Sequence, residues 1–416
     1  MRSAYTGRLS CPRCGEPRTE AQAFELCPPC LAEGQHVNPM PVYDLSVPGL
    51  FRAGASAGRG IFRHRALLPL RTDGAEISLG EGDTPVVPLR TIGARLGLDE
   101  LYLKDESRNP TWSYKDRLAA VGISQAVDAA AGTVVVSSTG NHGAAVAAYA
   151  AAAGLRCIAL TLESVPLTMK VLMQSYGAQV VALRRPTDRW VVMAQGVRER
   201  GWVPLSGFVS PPAGSNPFAV DGYKTMAYEL VEQLGRAPDV VITPVAYGDG
   251  IAGLHRGFDD LRQVGMIERQ PRLIAAEVFG AYSAALAGTG PGGPSEQPTA
   301  PSAAFSIATP HASFQGYQAI DVTGGAAVAV ADDRAILAAQ ADLARSEGLY
   351  LEASSVIPVA GLPELVRRGV IAPDDLVVCI GTSTGLKDIG ATAGTLGPVP
   401  VIEPTLASLE QALQAG

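Results

Sequence analysis

The chain has 416 residues, a formal net charge of −7 at pH 7, 47% hydrophobic residues and 18% charged residues. This length is enough for two domains, and the composition is typical of a globular protein. The negative charge and the lack of a basic block disfavour nucleic acids and anionic membranes as partners. We expect no signal peptide, since residues 1–8 lack an apolar core. We also expect no membrane span, since the Ala-rich run 143–162 is broken by Gly154 and Arg156.

Four cysteines near the N-terminus form two Cys-x-x-Cys pairs with 12 residues between them: Cys11, Cys14, Cys27 and Cys30. Four thiolates at this spacing can close a tetrahedron around one zinc ion, so residues 1–40 are predicted to form a zinc-ribbon-like unit. Two exposed dithiols, or a degenerate ribbon without metal, are the alternatives. Since we expect no secretion signal, disulfide bonds are the less favoured role for these cysteines.

Residues 41–78 are irregular and rich in proline, glycine and arginine, which predicts a segment that covers the domain after it. From residue 79 onwards, short apolar runs typical of strands alternate with segments typical of helices. The predicted strands are 101–104, 133–136, 157–162, 180–183, 239–243, 273–277 and 376–380. The predicted helices are 117–131, 144–153, 172–176, one from Ile251, and one capped by Asp332 and stopped by Gly348. This alternation favours parallel α/β sheets, with a surface loop over the Gly/Pro/Ser/Thr-rich stretch 288–302.

Three polar segments stand where this pattern places strand ends and helix starts. They are Ser113-Tyr-Lys-Asp-Arg117, Ser137-Ser-Thr-Gly-Asn-His-Gly143 and Pro244-Val-Ala-Tyr-Gly-Asp-Gly250. Backbone N–H groups at the start of a helix can bind an anion, so the second and third segments are candidate anion sites. Taken singly, each signal is weak, because a lysine such as Lys115 can be a solvated residue at a helix start and glycine turns are common.

A fourth segment, Gly381-Thr-Ser-Thr-Gly-Leu-Lys-Asp388, follows these three. Taken together in this order, the four segments resemble the motifs of the fold-type-II pyridoxal 5′-phosphate (PLP) enzymes. They are most similar to the threonine synthase family, from about residue 79 to residue 390. The resemblance implies an α/β protein with two three-layer αβα domains and an active site in the cleft between them. It also implies a division into two domains. The smaller domain, residues 79–225, would contain Lys115 and the loop with Asn141, and the larger domain would be residues 226–416.

The resemblance further implies how PLP would be held. Lys115 would carry PLP as a Schiff base and later act as a base at Cα. Asn141 would bind the phenolic O3′, and Thr382 would bind the ring nitrogen. The loop for the PLP phosphate would consist of Ala246, Tyr247, Gly248, Asp249 and Gly250. A polar helix cap at Asn141 and a simple strand-end threonine at Thr382 are the alternatives.

The substrate site implied by the resemblance lies next to Lys115. It would consist of Trp112, Ser138, Thr139, Gly140, Asn141 and His142. We expect His142 to shape this loop rather than to transfer protons. We also expect the side chain of Asp249 to point outward, because a carboxylate facing the PLP phosphate would repel it.

Three departures from the family concern the substrate. Ala219 stands where the family has an arginine that binds the substrate phosphate, and Ala213 and Gly214 replace polar residues. Trp112 stands where a glycine is usual and is expected to narrow the cleft. Because a dianion that loses a charge-assisted partner binds more weakly, we predict that O-phosphohomoserine, on which threonine synthase acts, is a poor substrate.

The sequence therefore predicts a PLP-dependent lyase of the threonine synthase group that acts by elimination or replacement at Cβ or Cγ of a small amino acid. A serine/threonine dehydratase and a β-replacement synthase are the enzymatic alternatives. A non-catalytic PLP-binding protein is the alternative from another class. We expect a homodimer in the cytoplasm, with a structural zinc ion in addition to PLP.

Overall fold

The computed structural model describes residues 3–51, 59–291 and 300–414. The predicted covering segment and the predicted 288–302 loop therefore fall partly outside the described residues. The strands are β1 Tyr5–Ser10, β2 Pro17–Arg18, β3 Met40–Tyr43, β4 Val86–Pro88, β5 Glu100–Asp105, β6 Thr133–Ser137, β7 Arg156–Leu162, β8 Gln179–Leu183, β9 Val203–Pro204, β10 Val240–Pro244, β11 Arg272–Glu277, β12 Ala326–Ala329 and β13 Leu376–Gly381.

The helices alternate with these strands, as the sequence predicts. They are α1 Pro28–Ala32, α2 Arg90–Leu96, α3 Lys115–Asp128, α4 Asn141–Ala152, α5 Leu167–Ser175, α6 Pro186–Arg200, α7 Lys224–Leu234, α8 Asp249–Gln263, α9 Ala281–Ala284, α10 Phe314–Asp321, α11 Asp333–Glu347, α12 Ala353–Arg367, α13 Ile389–Ala393 and α14 Leu406–Gln414. Within the described ranges, no helix is both long and apolar enough to cross a membrane.

The larger sheet has six strands in the order β12-β11-β10-β13-β5-β4, all parallel except the edge pair β4 and β5. Its central strands are apolar on both faces because helices cover both faces. Val241 faces a core with α7, α8 and α10, whereas its neighbour Val240 faces a core with α2, α11 and α12. Side chains alternate between the two faces of a strand, and this produces one three-layer αβα unit.

The smaller sheet has four parallel strands in the order β8-β7-β6-β9. Val134 and Val136 of β6 pack against the buried alanines of α4, and Val135 packs against Met193 of α6 on the opposite face. The run 143–162 is a helix followed by a strand, α4 and β7, as predicted. Two three-layer αβα units are thus present, which confirms the predicted fold class.

The division of the chain between the two sheets differs from the predicted one. Strands β4 and β5 were expected in the smaller domain, but they lie in the larger sheet, where Leu101 pairs with Val377 and Lys104 with Ile380. The smaller sheet is formed by residues 133–204 alone. Strand membership depends on pairing between distant segments, and an apolar run does not contain that information.

The N-terminal unit is a three-stranded antiparallel sheet in the order β2-β1-β3. It packs on the rest of the protein through apolar contacts, such as those of Leu9 and Ala23 with Phe218, and through polar contacts. Asn38 Nδ2 donates to the carbonyl oxygen of Ser215 at 2.9 Å, and Gln318 Nε2 donates to the carbonyl oxygen of Pro12 at 3.1 Å. The predicted Cys-rich unit therefore lies against the segment that precedes α7 and against α10.

Candidate active site

A cavity of about 300 Å³ lies between the two sheets, where β6, β10 and β13 end. Ligands of open α/β folds bind at this carboxyl edge of parallel strands. The cavity brings together nearly all the site residues that the sequence predicts: Lys115, Ser138, Thr139, Gly140, Asn141, His142, Ala246, Tyr247, Gly248, Asp249, Gly250 and Thr382.

Trp112 does not belong to the lining of this cavity, and 46% of its surface is exposed. Its backbone has a φ of 58°, in the left-handed region that favours glycine. The Trp112 carbonyl oxygen accepts a hydrogen bond from Ser383 Oγ at 2.9 Å. The expectation that Trp112 narrows the cleft is therefore not met, because Trp112 is about half exposed and does not line the cavity.

Lys115 is the first residue of α3, and its amine lies against two aromatic rings. Nζ is 4.5 Å from the ring centroid of Tyr114 and 5.5 Å from that of Tyr223. These two rings stack at 4.9 Å. The N–H of Tyr114 donates to the carbonyl oxygen of Thr382 at 3.0 Å, which fixes the lysine turn to the end of β13. No acid in the described part of the chain forms an ion pair with Lys115, so its amine remains available for a ligand.

The two residues after the lysine have structural partners. Arg117 is fully buried and forms ion pairs of 2.7 Å with both Glu106 and Glu229. Lys104, which is also fully buried, donates to Glu229 at 2.7 Å. Burial opposes ionisation of Glu229, but the charges of Arg117 and Lys104 lower its pKa below the ordinary value. This cluster explains Arg117 and makes Lys104 a structural residue. Asp116 lies outside the cluster and accepts from the N–H and Oγ1 of Thr111 at 2.7 and 2.6 Å.

The loop between β6 and α4 is held by several polar contacts. Ser138 Oγ accepts from the N–H groups of Gly140 and Gly143 at 3.1 and 2.9 Å. Asn141 Oδ1 accepts from Lys387 Nζ at 2.8 Å, and Asn141 Nδ2 donates to Glu352 at 2.9 Å. An amide nitrogen has two hydrogens, so Asn141 keeps one for a ligand.

Lys387 and Glu352 were not among the predicted site residues. Burial lowers the pKa of Lys387 to about 8, although the negative charges of Glu352 and Asp116 act to raise it. Burial raises the pKa of Glu352. The Gly-Leu-Lys-Asp part of the C-terminal motif was the sequence signal for Lys387, but nothing local indicated that its amine reaches Asn141.

His142 lines the same cavity and is neutral at physiological pH. Burial, together with the charge of Lys115, lowers the pKa of His142 to about 3. Its buried Nε2 has no hydrogen-bond partner within the described residues. A neutral ring at this position is compatible with the predicted role of shaping the loop.

The turn between β10 and α8 exposes the start of a helix to the cavity. Gly248 caps α8 with a φ of 78° and has no side chain to accept from the first N–H groups. A Cβ at Gly248 would lie 2.6 Å from the Cα of Gly316, so only glycine fits. The first N–H groups of a helix have no partner within the helix and carry its positive dipole end. This turn can therefore bind an anion such as a phosphate.

The carboxylate of Asp249 is turned toward groups outside that turn. It accepts from Ser215 N–H at 2.9 Å, from Ser215 Oγ at 2.6 Å and from Gln315 Nε2 at 2.6 Å. Only 8% of Asp249 is exposed. The side chain is thus directed away from the turn that would hold the phosphate, and it is buried against Ser215 and Gln315 rather than exposed to solvent.

Thr382 directly follows the last residue of β13 and lines the cavity. Its Oγ1 is 2.7 Å from Ser355 Oγ. No carboxylate among the described residues bonds to Thr382, so the polar group presented here is a hydroxyl. PLP requires an amine, an anion cradle and polar contacts at both sides of its ring. Lys115, the uncapped start of α8, Asn141 and Thr382 supply these groups in one cavity, and the residues present therefore fit PLP.

Two further residues differ in their position relative to the cavity. Ala219 is fully buried in the apolar core of the larger domain and does not line the cavity. Arg189, on α6 of the smaller domain, does line it. Arg189 stands among several charged residues of an ordinary surface helix, so no local signal distinguished it.

The four N-terminal cysteines come together as predicted. Their Sγ atoms all lie within 4.8 Å of one another, and the pairs Cys11–Cys30 and Cys14–Cys27 are 3.6 and 3.5 Å apart. Zinc–sulfur bonds of about 2.3 Å in a tetrahedron require sulfur atoms about 3.8 Å apart. The donor set and its spacing therefore fit one zinc ion.

Comparisons with known proteins agree with this geometry. The family model described as "Pyridoxal-phosphate dependent enzyme" matches residues 77–383. The chain is 34% identical to the threonine synthase of Methanocaldococcus jannaschii over 334 residues, which cover 79% of this chain and 81% of that protein. It is 32% identical to the threonine synthase of Halalkalibacterium halodurans over 355 residues, which cover 84% of this chain and 95% of that protein.

Solved structures show the same fold at lower identity. An O-ureido-L-serine synthase superposes with a TM-score of 0.62 at 21% identity and covers 80% of this chain and 96% of its own. Maize serine racemase superposes with a TM-score of 0.61 at 21% identity and covers 80% of this chain and 92% of its own. The chain belongs to the family of pyridoxal-phosphate dependent enzymes. Within that family it belongs to the threonine synthase group, which confirms the family resemblance found in the motifs.

Proposed function

We propose that this protein is a PLP-dependent lyase that eliminates or replaces a group at Cβ or Cγ of a small amino acid. The observation that supports it most strongly is the cavity in which Lys115, the start of α8, Asn141 and Thr382 meet. When bound, PLP supplies the electron-accepting ring that stabilises negative charge at Cα. The similarity to threonine synthases supports this reaction class over other PLP chemistry.

Each residue then has a distinct task. Lys115 would hold the cofactor and, once displaced by the substrate amine, would move the proton at Cα. The N–H groups at the start of α8 would bind the cofactor phosphate. The loop from Ser138 to Asn141, at the start of α4, would bind the substrate carboxylate in the same way. The hydroxyl of Thr382 would leave the ring nitrogen largely unprotonated, which favours elimination and replacement over transamination.

The enzymatic alternatives differ in their products. Purified holoenzyme should be mixed with serine, threonine, O-phosphohomoserine and O-acetylated amino acids, while the cofactor absorbance is recorded and products are identified by mass. A keto acid and ammonia from serine or threonine would indicate a dehydratase, and a new β-substituted amino acid would indicate a β-replacement synthase. Bound cofactor without product from any amino acid would favour a non-catalytic PLP-binding protein.

We further propose that the N-terminal unit binds one structural zinc ion. Four thiolates occupy all positions of a tetrahedral site, so no position remains for catalysis, and none of the four cysteines lines the cavity. A homodimer and a cytoplasmic location remain predictions from the family resemblance.

The zinc proposal predicts about one zinc per chain in protein purified without chelator. Replacing Cys27 with serine should reduce the zinc content and increase proteolysis within residues 11–43, because metal binding stabilises such small units. Cys157→Ala is the matched control, since this buried cysteine lies in the smaller sheet, away from the cluster. Metal analysis that finds less than about 0.2 zinc per chain in the native protein would mean that the ribbon is degenerate.

A further inference from the structure

Lys387 is a buried cation whose amine contacts one side chain of the candidate active site. Only 5% of the residue is exposed, and its Nζ donates to Oδ1 of Asn141 at 2.8 Å. Within the described residues, no carboxylate lies within ion-pair distance of this amine, and Asn141 is its one hydrogen-bond partner. Because burial of a charge is costly, a buried ammonium with one neutral partner stabilises the fold little. The contact with Asn141 therefore indicates a role in the site.

Glu352 contacts the other end of the same amide. Its Oε1 accepts from Asn141 Nδ2 at 2.9 Å, and only 6% of the residue is exposed. Lys387 follows β13 and Glu352 directly precedes α12, so both belong to the larger domain, whereas Asn141 begins α4 of the smaller domain. A donor and an acceptor of one domain thus hold the two ends of an amide of the other.

These two partners determine which way the amide of Asn141 faces. The oxygen and the nitrogen of an asparagine side chain are nearly equal in size, so its hydrogen-bond partners decide the orientation. A lysine ammonium can only donate, and an ionised carboxylate can only accept. Turning the amide over would place Nδ2 against the ammonium of Lys387 and Oδ1 against the carboxylate of Glu352, and both hydrogen bonds would be lost.

A third neighbour of the amide does not select an orientation. Ser383 Oγ lies 3.2 Å from Asn141 Oδ1, but its hydroxyl also donates to the carbonyl oxygen of Trp112 at 2.9 Å. A hydroxyl can either donate or accept, so Ser383 can bond to either end of the amide. The ammonium of Lys387 has no such choice.

We propose that Lys387 is a positioning residue, which fixes the side-chain amide of Asn141 with an N–H group toward the phenolic O3′ of PLP. This inference rests on the proposed contact between Asn141 and O3′. A donor at O3′ stabilises the ionised phenolic oxygen, and with it the form of the lysine-bound cofactor that absorbs at longer wavelength. An amide turned over would instead present Oδ1 to O3′, and two oxygen atoms without a hydrogen between them repel each other.

The test records the absorbance of the holoenzyme without substrate and compares the long- and short-wavelength forms of the bound cofactor. It is done at neutral pH, where Lys387, with a pKa of about 8, is mainly protonated. Lys387→Met removes the donor and should lower the ratio of the long- to the short-wavelength form about 10-fold, the effect of losing one buried hydrogen bond. Lys387→Gln keeps a donor without the charge and should restore part of the ratio.

A double variant shows whether Lys387 acts through Asn141. Asn141→Ala should shift the spectrum in the same direction as Lys387→Met. Adding Lys387→Met to Asn141→Ala should then change nothing further, because the effects of two residues that act as one unit do not add. If Lys387→Met does not fold, Lys387→Gln and its double variant with Asn141→Ala provide the same comparison, with a smaller expected shift.

The matched control is Lys170→Met, which makes the same replacement on α5, outside the cavity, where Lys170 Nζ donates to the carbonyl oxygen of Glu163. It should keep the wild-type spectrum, and thermal unfolding shows whether each variant is folded.

Three results would overturn the inference. The first is a wild-type spectrum for Lys387→Met when Asn141→Ala shifts the bands. The second is an equal shift in Lys387→Gln and Lys387→Met, which would assign the effect to charge. The third is a further shift when Lys387→Met is added to Asn141→Ala. An unchanged spectrum of Asn141→Ala would contradict the contact with O3′ as well as the inference. Turnover is measured separately, so a lack of product from every amino acid would contradict the proposed function alone.

Discussion

Replacing Lys115 with alanine should reduce turnover by at least about 10³-fold, because the residue would both hold the cofactor and move the proton at Cα. In the wild-type protein, borohydride reduction followed by peptide mapping should place the cofactor label on Lys115. The variant should bind PLP only weakly and should carry no label. Among the described residues, Lys115 is the only lysine that lines the cavity, and its amine forms no ion pair with them.

Two other lysines serve as controls for this prediction. Lys170→Ala changes a partly exposed residue outside the cavity, whose Nζ donates to the carbonyl oxygen of Glu163 at 2.6 Å, and it should retain full activity and labelling. Lys387 is the second amine near Asn141. Label on Lys387 in the wild-type protein would show that the cofactor lysine has been assigned to the wrong residue.

Replacing Arg117 with methionine should lower the free energy of unfolding by about 3–5 kcal/mol, because it leaves two buried carboxylates without their shared partner. Glu106 and Glu229 are both fully buried, and Lys104 alone cannot neutralise them. The cluster links the segment that follows β5, the first turn of α3 and helix α7. The loss should therefore also disturb Lys115, two residues away on the same helix.

Urea unfolding followed by circular dichroism measures this effect. The matched control is Arg95→Met, which removes a surface pair with Asp342 whose side chains are 51% and 40% exposed. Such surface pairs contribute about 0–1 kcal/mol, so this variant should unfold almost as the wild type does. Similar midpoints for the two variants would mean that the buried cluster relaxes or admits water and contributes little to stability.

The elements that could be predicted depend on local patterns. Strand β13 is a continuous apolar run, and α11 has its cap at Asp332 and its stop at Gly348, both of which the structure contains. Lys115, Asn141 and the turn at Gly248 were found because each belongs to a short motif at a strand end or a helix start. Such positions follow from the order of elements along the chain.

The remaining features depend on contacts between distant segments. Arg189 reaches the cavity only because α6 packs against the smaller sheet beside the cleft, and Lys387 reaches Asn141 across it. Trp112 has a positive φ, and the residue type alone does not predict that backbone angle. The assignment of β5 to the larger sheet depends on its pairing with β13. None of these could be read from a local pattern.

The position of β5 has a consequence for how the protein forms during synthesis. The smaller sheet needs only residues 133–204, so it can close while the ribosome is still making the second half of the chain. Strand β5, by contrast, lies between β4 and β13 and has one unpaired edge until residues 376–381 emerge. An unpaired edge can associate with other chains. A chain arrested before residue 376 would therefore contain every residue of the lysine motif, yet it would have no β13 to hold Tyr114 in place and would be prone to aggregate.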